Sequence, residues 1–188
     1  MEINIWKAAL ERERKSKDQY FATHLQSPLT LENKSRFMGL AYFSPNHNYM
    51  YDLQLHEYKD REVLQIQDTT GNTREFLRWG EFRFKVSNEE CTLQAYKSAP
   101  DEDRLFVPFK DATSGKETYG AGRYLDLNYV NDRTPEGMWR LDFNRAYNPW
   151  CAYSENFSCP YVPPENWLKI PILAGEKSYT SIKMEEKE

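Results

Sequence analysis

Residues 82–96 read FRFKVSNEECTLQAY, and this stretch decides the fold. Phe82, Phe84 and Val86 alternate with Arg83 and Lys85, a period of two that places three apolar side chains on one face of a strand. Asn88-Glu89-Glu90 then turns the chain into Cys91–Tyr96, a second strand. Upstream, Tyr49, Tyr51, Leu53 and Leu55 alternate with polar partners through residues 49–58. Glu62–Asp68 puts Leu64 and Ile66 on one side. Gly71-Asn72 is a break, residues 73–79 resume the pattern, and Gly80 breaks it again. Five short strands joined by tight turns make an antiparallel meander.

Downstream, residues 98–104 form a polar loop, and residues 105–109 are expected to be the next strand. Further strands are expected at Thr118–Asn128, at Met138–Phe143 and at Trp167–Leu173, where Pro171 implies an edge position or a bulge. Eight to nine strands without intervening helices exclude a doubly wound α/β fold. They point to a mainly β protein, an antiparallel barrel or sandwich. Aromatic residues make up 15% of the chain, which suits pleated, half-buried surfaces.

At the other end, residues 2–21 carry Ile5, Trp6, Ala9, Leu10, Tyr20 and Phe21 at roughly helical spacing. This is an amphipathic helix with the charged run ERERKSKD (11–18) as its solvated face. Residues 29–37 fit a second short helix. The 188 residues are expected to form one domain, with a helical segment 1–37 on a β unit 40–176 and a frayed tail from 179 to 188.

The net charge of −4 favours neither nucleic acid nor an anionic membrane, and no apolar run has the length of a signal peptide or a membrane span. A cytoplasmic location is expected. Three cysteines make no disulfide framework, and the histidines His24, His47 and His56 all lie far in sequence from Cys151 and Cys159, so no metal or other cofactor is expected.

Turn formers, charges and aromatic rings mix most densely between Phe106 and Glu176, as in a polar site built from loops on a rigid support. Residues 112–118, ATSGKET, resemble the end of a phosphate-binding loop. They lack its upstream glycine and its strand-loop-helix setting, which excludes that motif. Gly120 and Gly122 permit a bulge or the close approach of a ligand. Beyond them Arg123 and Leu125 share one strand face while Tyr124 and Asp126 share the other. Lys116, Tyr119, Gly120, Gly122, Arg123 and Tyr124, with Asn144, Arg145, Tyr147, Asn148 and Asn166 from the later loops, are the candidate ligand-binding residues. Asp111, Glu117, Asp126 and Asp142 are candidate acids or bases, and Cys151 is a candidate nucleophile. Cys151 and Cys159 pack as thiols or join as a disulfide.

Four stretches, PFKDATSGKETYGAGRYLDL (108–127), DFNRAYNPWCAYS (142–154), SCPYVPPEN (158–166) and AGEK (174–177), together with FMGLAYFSP (37–45), resemble the prokaryotic family catalogued as domain of unknown function 1684. The resemblance runs from Trp6 to Lys177. Its motifs coincide with Asp111, Thr113, Gly115, Glu117, Thr118, Tyr119, Gly122, Arg123, Tyr124, Asp126, Asp142, Asn144, Arg145, Tyr147, Asn148, Cys151, Cys159 and Asn166, and it implies no activity. Three readings follow. One cleft built by 106–126 and 141–166 binds a small polar or anionic molecule. Alternatively, the same cleft is an enzyme's. In the third, the motifs are a hydrogen-bonded plug with no ligand.

Overall fold

The computed structural model describes residues 3–179. It is mainly β, with antiparallel ladders and one long helix, α1 (Ile3–Thr23). A short α2 (Leu31–Ser35) follows, capped by the Thr30 hydroxyl, which accepts from the Asn33 amide at 3.2 Å. The strands are β1 (Met50–Leu53), β2 (His56–Glu57), β3 (Val63–Gln67), β4 (Thr73–Val86), β5 (Glu89–Lys97), β6 (Arg104–Phe109), β7 (Arg123–Asn128) and β8 (Trp139–Asp142).

The strands form a six-stranded sheet and a separate pair. In the sheet the order is β2-β4-β5-β6-β7, and β3 shares with β2 the same edge of the long β4. The pair is β1 with β8. The hairpin of β4 and β5 turns at Ser87 (φ 48°) and Asn88 (φ 70°), both left-handed, which matches the twist of the flanking strands. Gly80 does not end a strand. It sits at a register shift inside the 14-residue β4, where a Cβ would lie 2.7 Å from the His56 carbonyl oxygen. Two strands expected on either side of Gly80 are thus one bulged strand.

Two other expectations are corrected. Residues 118–122 are turns rather than strand, because Thr118 folds back onto Thr113, the two hydroxyls lying 2.8 Å apart. Residues 167–173 form no strand: they bend at Lys169 and Ile170 and hold residues 110–112 through a bridge from Trp167 to Lys110 and the main-chain bonds Leu168 to Lys110 and Ala112 to Ile170. The tail expected to fray lies outside the described residues except for Tyr179, whose ring packs on Tyr153.

The inner face of the sheet presents Phe82, Phe84, Leu93, Ala95, Leu105, Val107, Phe109, Leu125 and Leu127 to Trp139 and Leu141 of β8, to Phe143, and to Ile172 and Ala174. Tyr49, Tyr51 and Leu53, the apolar face read from the alternation, close the same core. The outer face carries a smaller cluster of Ile66, Phe76, Tyr96, Phe106, Tyr124 and Val162. No ladder among the described residues joins the two edges of the sheet, so hydrogen bonding closes no barrel.

Helix α1 lies on the β unit through Trp6, Leu10 and Phe21, at i, i+4 and i+15 of one helical stripe. Ile5, expected on that face, is exposed. The Trp6 indole N–H donates to Asp142 Oδ2 at 2.8 Å and pins the start of the helix to the end of β8. No helix among the described residues is long and apolar enough to cross a membrane.

Candidate functional site

The alternation in β7 turns Arg123 and Leu125 into the core and Tyr124 and Asp126 to the other face. Arg123 is fully buried. Its guanidinium donates to the carbonyls of Ile172 (3.0 Å), Ala174 and Glu176 (3.3 Å), and to Asp111 Oδ2 (3.3 Å). Asp111 Oδ2 also accepts the Ile172 amide at 2.6 Å, and Oδ1 accepts the Thr113 hydroxyl at 2.8 Å. Burial lowers the Arg123 pKa, while Asp111 and Glu176 oppose the shift. Arg123 and Asp111 form a clamp on the main chain of 172–176, and they line none of the cavities described below. Gly122 serves that clamp. With φ at 104°, a Cβ there would meet Val162 at 2.6 Å and the Phe109 oxygen at 2.7 Å, so the close approach is the protein's own.

Several other candidates are likewise engaged with main chain. Asp142 accepts the Trp6 indole on one oxygen and the Asn144 amide and side chain on the other. Asn144 pairs with both main-chain groups of Asn46, at 2.8 and 2.9 Å. Asn166 is fully buried between β5 and β6, whose ladder is the single pair Tyr96–Phe106. Its Oδ1 accepts the Gln94 amide (2.7 Å) and its Nδ2 donates to the oxygens of Gln94 (2.9 Å) and Pro108 (2.7 Å), so one side chain stands in for missing ladder bonds. Lys116, Glu117 and Gly120 lie exposed on the 111–122 turns.

On the outer face, Tyr147 donates to Asp126 Oδ2 at 2.5 Å and Arg104 pairs with Oδ1 at 3.1 Å. Tyr124 donates to the Pro160 carbonyl, and Tyr119 donates to Cys151 Sγ at 3.7 Å. Tyr124 and Tyr147 share with Arg74, Arg104, Phe76 and Phe106 a cavity of about 330 Å³. The three cysteines are free thiols, not a disulfide. Among the described residues no cluster of three or more His, Cys, Asp or Glu could hold a metal ion.

Two of the buried polar atoms without a partner among the described residues, Arg14 Nε and the Tyr42 hydroxyl, lie beneath α1; the others are Arg78 Nε, Arg123 Nε and Asn148 Oδ1. A cavity of about 400 Å³ is walled by Leu10, Glu13, Arg14, Lys17, Tyr20 and Phe21 of the helix, by Tyr42, and by Asn144, Arg145, Ala146, Tyr147 and Trp150. Arg14 and Lys17 occupy helix positions between Leu10 and Phe21 on the docking face, so the charged run 11–18 is not wholly a solvated face.

Lys17 donates to Glu176 Oε2 at 2.7 Å. Glu176 is fully buried and also accepts the Tyr153 hydroxyl, the Asn148 amide (3.3 Å) and Asn148 Nδ2 (3.1 Å), which accounts for its charge. Arg145 is tied to Glu13 at 2.8 Å and to Asp132 at 3.3 Å.

Arg14 differs from both. It donates only to main-chain oxygens, of Phe43 (3.0 Å) and Asn144 (3.2 Å), and forms no ion pair among the described residues. Its Nε is buried without a partner, and so is the hydroxyl of Tyr42, over whose ring the guanidinium sits at 4.4 Å. Burial lowers the Arg14 pKa, opposed by Tyr42, Asp142, Glu11 and Glu176. Burial, then Glu176 and Asp18, raise that of Tyr42. Arg14 Nε and the Tyr42 hydroxyl are covered by protein, while the half-buried guanidinium itself borders the apolar wall, where its charge can attract a carboxylate or another small oxyanion.

Of the candidates named from sequence, Asn144, Arg145 and Tyr147 meet at this cavity, whereas Arg123, Tyr119, Tyr124, Asn148 and Asn166 do not line it. Arg14, Lys17, Tyr42 and Glu176 were not among them. The one signal available was helical spacing, which puts Arg14 and Lys17 in line with Leu10 and Phe21.

The model of a family described as Protein of unknown function (DUF1684) matches residues 35–177. No curated protein matches the chain. Among solved structures, the solution NMR structure of an uncharacterized protein of Haloarcula marismortui is similar, with 36% sequence identity and a TM-score of 0.72. The match covers 96% of this chain and 97% of that one.

Proposed function

The chain belongs to the DUF1684 family of proteins of unknown function, and we propose that it binds a small anion bearing an apolar portion in the cleft beneath α1. The observation that carries this reading is Arg14: a partly buried guanidinium without a carboxylate, its Nε idle beside the idle hydroxyl of Tyr42. An oxyanion set against the guanidinium would supply the missing counter-charge. Tyr20, Phe21, Tyr147 and Trp150 would pack on the apolar portion, and the volume suits a small ligand. Lys17 and Arg145 are already paired with carboxylates, which leaves Arg14 as the group that would grip the ligand.

In this reading the six-stranded sheet and the β1–β8 pair are a sandwich, supported by the apolar core between them. The protein works in the cytoplasm, for which its free thiols are the support.

The test is calorimetric titration with phenylacetate, octanoate and inorganic phosphate, with phenylacetamide as the neutral control. A saturable carboxylate isotherm is expected that weakens about 10- to 100-fold in Arg14→Gln, the scale of a lost charge-assisted hydrogen bond. The reading fails if none of the anions binds, if phenylacetamide binds as well as phenylacetate, or if Arg14→Gln binds as the wild type does.

A further inference from the structure

Cys151, next to Trp150 in the chain, meets Cys159. The Cys151 amide donates to Cys159 Sγ at 3.3 Å, which sets that sulfur against residue 151. Both main-chain groups of Cys159 are fixed against Thr69 at the β3–β4 turn: its amide donates to the Thr69 hydroxyl (3.2 Å), and its carbonyl accepts the Thr69 amide (3.1 Å). Cys151 is held at the start of the helical turn Trp150–Ala152, and its sulfur accepts the Tyr119 hydroxyl at 3.7 Å. Two cysteines brought together on independently anchored segments are placed for a bond between them.

The environment also separates their chemistry. The hydrogen bond from the Cys151 thiol lowers the Cys159 pKa. The Cys151 and Trp150 amides and the charge of Arg74 add to this against burial. The same thiol–thiol bond and burial raise that of Cys151. A thiolate is the reactive form of cysteine, and amides at the start of a helical turn and a nearby arginine are the surroundings that stabilise one. The amide held 3.3 Å from its sulfur makes Cys159, the more buried of the two, the attacking sulfur and Cys151 the resolving one. Cys91, on β5, has only the Glu89 carbonyl as partner and stands outside the pair.

We infer that Cys151 and Cys159 are a reversible dithiol–disulfide site, oxidised by a hydroperoxide and reset by a dithiol. The Cys159 thiolate attacks the terminal oxygen of the hydroperoxide. The S–O bond forms and the O–O bond breaks. The alkoxide, or hydroxide from hydrogen peroxide, leaves with a proton from solvent. The Cys151 sulfur then attacks the sulfur of the Cys159 sulfenic acid, an S–S bond forms, and the S–O bond breaks. The hydroxyl leaves as water with the Cys151 proton. Two thiols and one hydroperoxide give one disulfide, one alcohol and one water. Exchange with a dithiol restores both thiols.

The experiment uses the folded, reduced protein and hydrogen peroxide, followed by thiol counting in denaturant and peptide mapping. The three free thiols should fall to one, Cys91, with residues 151 and 159 joined within one chain, and dithiothreitol should restore all three. In Cys151→Ser, Cys159 should accumulate as a sulfenic acid that dimedone traps; in Cys159→Ser, Cys151 should stay unmodified under the same treatment. The inference is overturned if peroxide leaves three thiols, if it modifies Cys91 first, if the disulfide joins separate chains, or if dimedone labels Cys151 rather than Cys159. None of these outcomes depends on the cleft beneath α1.

Discussion

Arg14 and Arg123 show how one residue type divides into opposite roles. Arg123 is enclosed and has Asp111 and three carbonyls as partners, so its loss strands a buried carboxylate and three acceptors. Arg123→Ala should cost about 3–5 kcal/mol of unfolding free energy, the usual penalty for breaking a buried pair, read as a lower urea midpoint. A cost below about 1 kcal/mol would show that the clamp is not structural. Asp68 makes a pH-dependent contribution. Hydroxyl hydrogen bonds from Ser158 and Thr70, then amides of the β3–β4 turn, hold its pKa below the ordinary carboxylate range. A depressed folded pKa gives stability that is complete above the unfolded value of about 4 and is lost as pH falls toward the folded one. The gap in Tm between wild type and Asp68→Asn should therefore be widest near neutrality and narrow below about pH 4; a constant gap would remove Asp68 from the acid limb.

At the scale of elements, α1 is joined to the β unit by a polar contact at its start and by rings at its end. Trp6→Phe keeps the packing but leaves Asp142 Oδ2 without its donor. It should cost about 1.5–3 kcal/mol, as for other bonds to a charged acceptor, and hydrogen exchange should rise along α1 before it rises in β4. Uniform exchange along the chain would mean the helix has no separate hold. The strands were legible where a single chain property decides them: alternation marked Phe82, Phe84 and Val86 as inward, and it put Arg123 beside Leu125. What could not be read depends on a partner. Gly80 looks like a stop until β2 is laid against it, and Thr118–Gly122 looks like strand until Thr118 meets Thr113. The docking of Arg14 and Lys17 was hidden for the same reason, since a charged helix run is solvated unless something distant receives it. Lys17 finds its carboxylate 159 residues away.

The whole molecule gathers around a short stretch near its end. Residues 172–176 put Ile172 and Ala174 into the main core, offer three carbonyls to Arg123, and deliver Glu176 to Lys17, Asn148 and Tyr153. The cleft beneath α1 is thus the place where helix, loop 143–153 and this segment come together. Of the three basic side chains on its wall, Lys17 and Arg145 are paired with carboxylates and Arg14 is not.

The reach of Glu176 also orders events in time. Hairpins such as β4–β5 can close as soon as their residues leave the ribosome, because their contacts are local in sequence. Helix α1 emerges before them, yet Lys17 must wait for Glu176 to be synthesised. Phe21 can meet Leu29 and Phe37 early, but until the later residues follow, Trp6 lacks Asp142, Phe21 lacks Tyr153 and Lys17 lacks Glu176, so the cleft beneath α1 is incomplete.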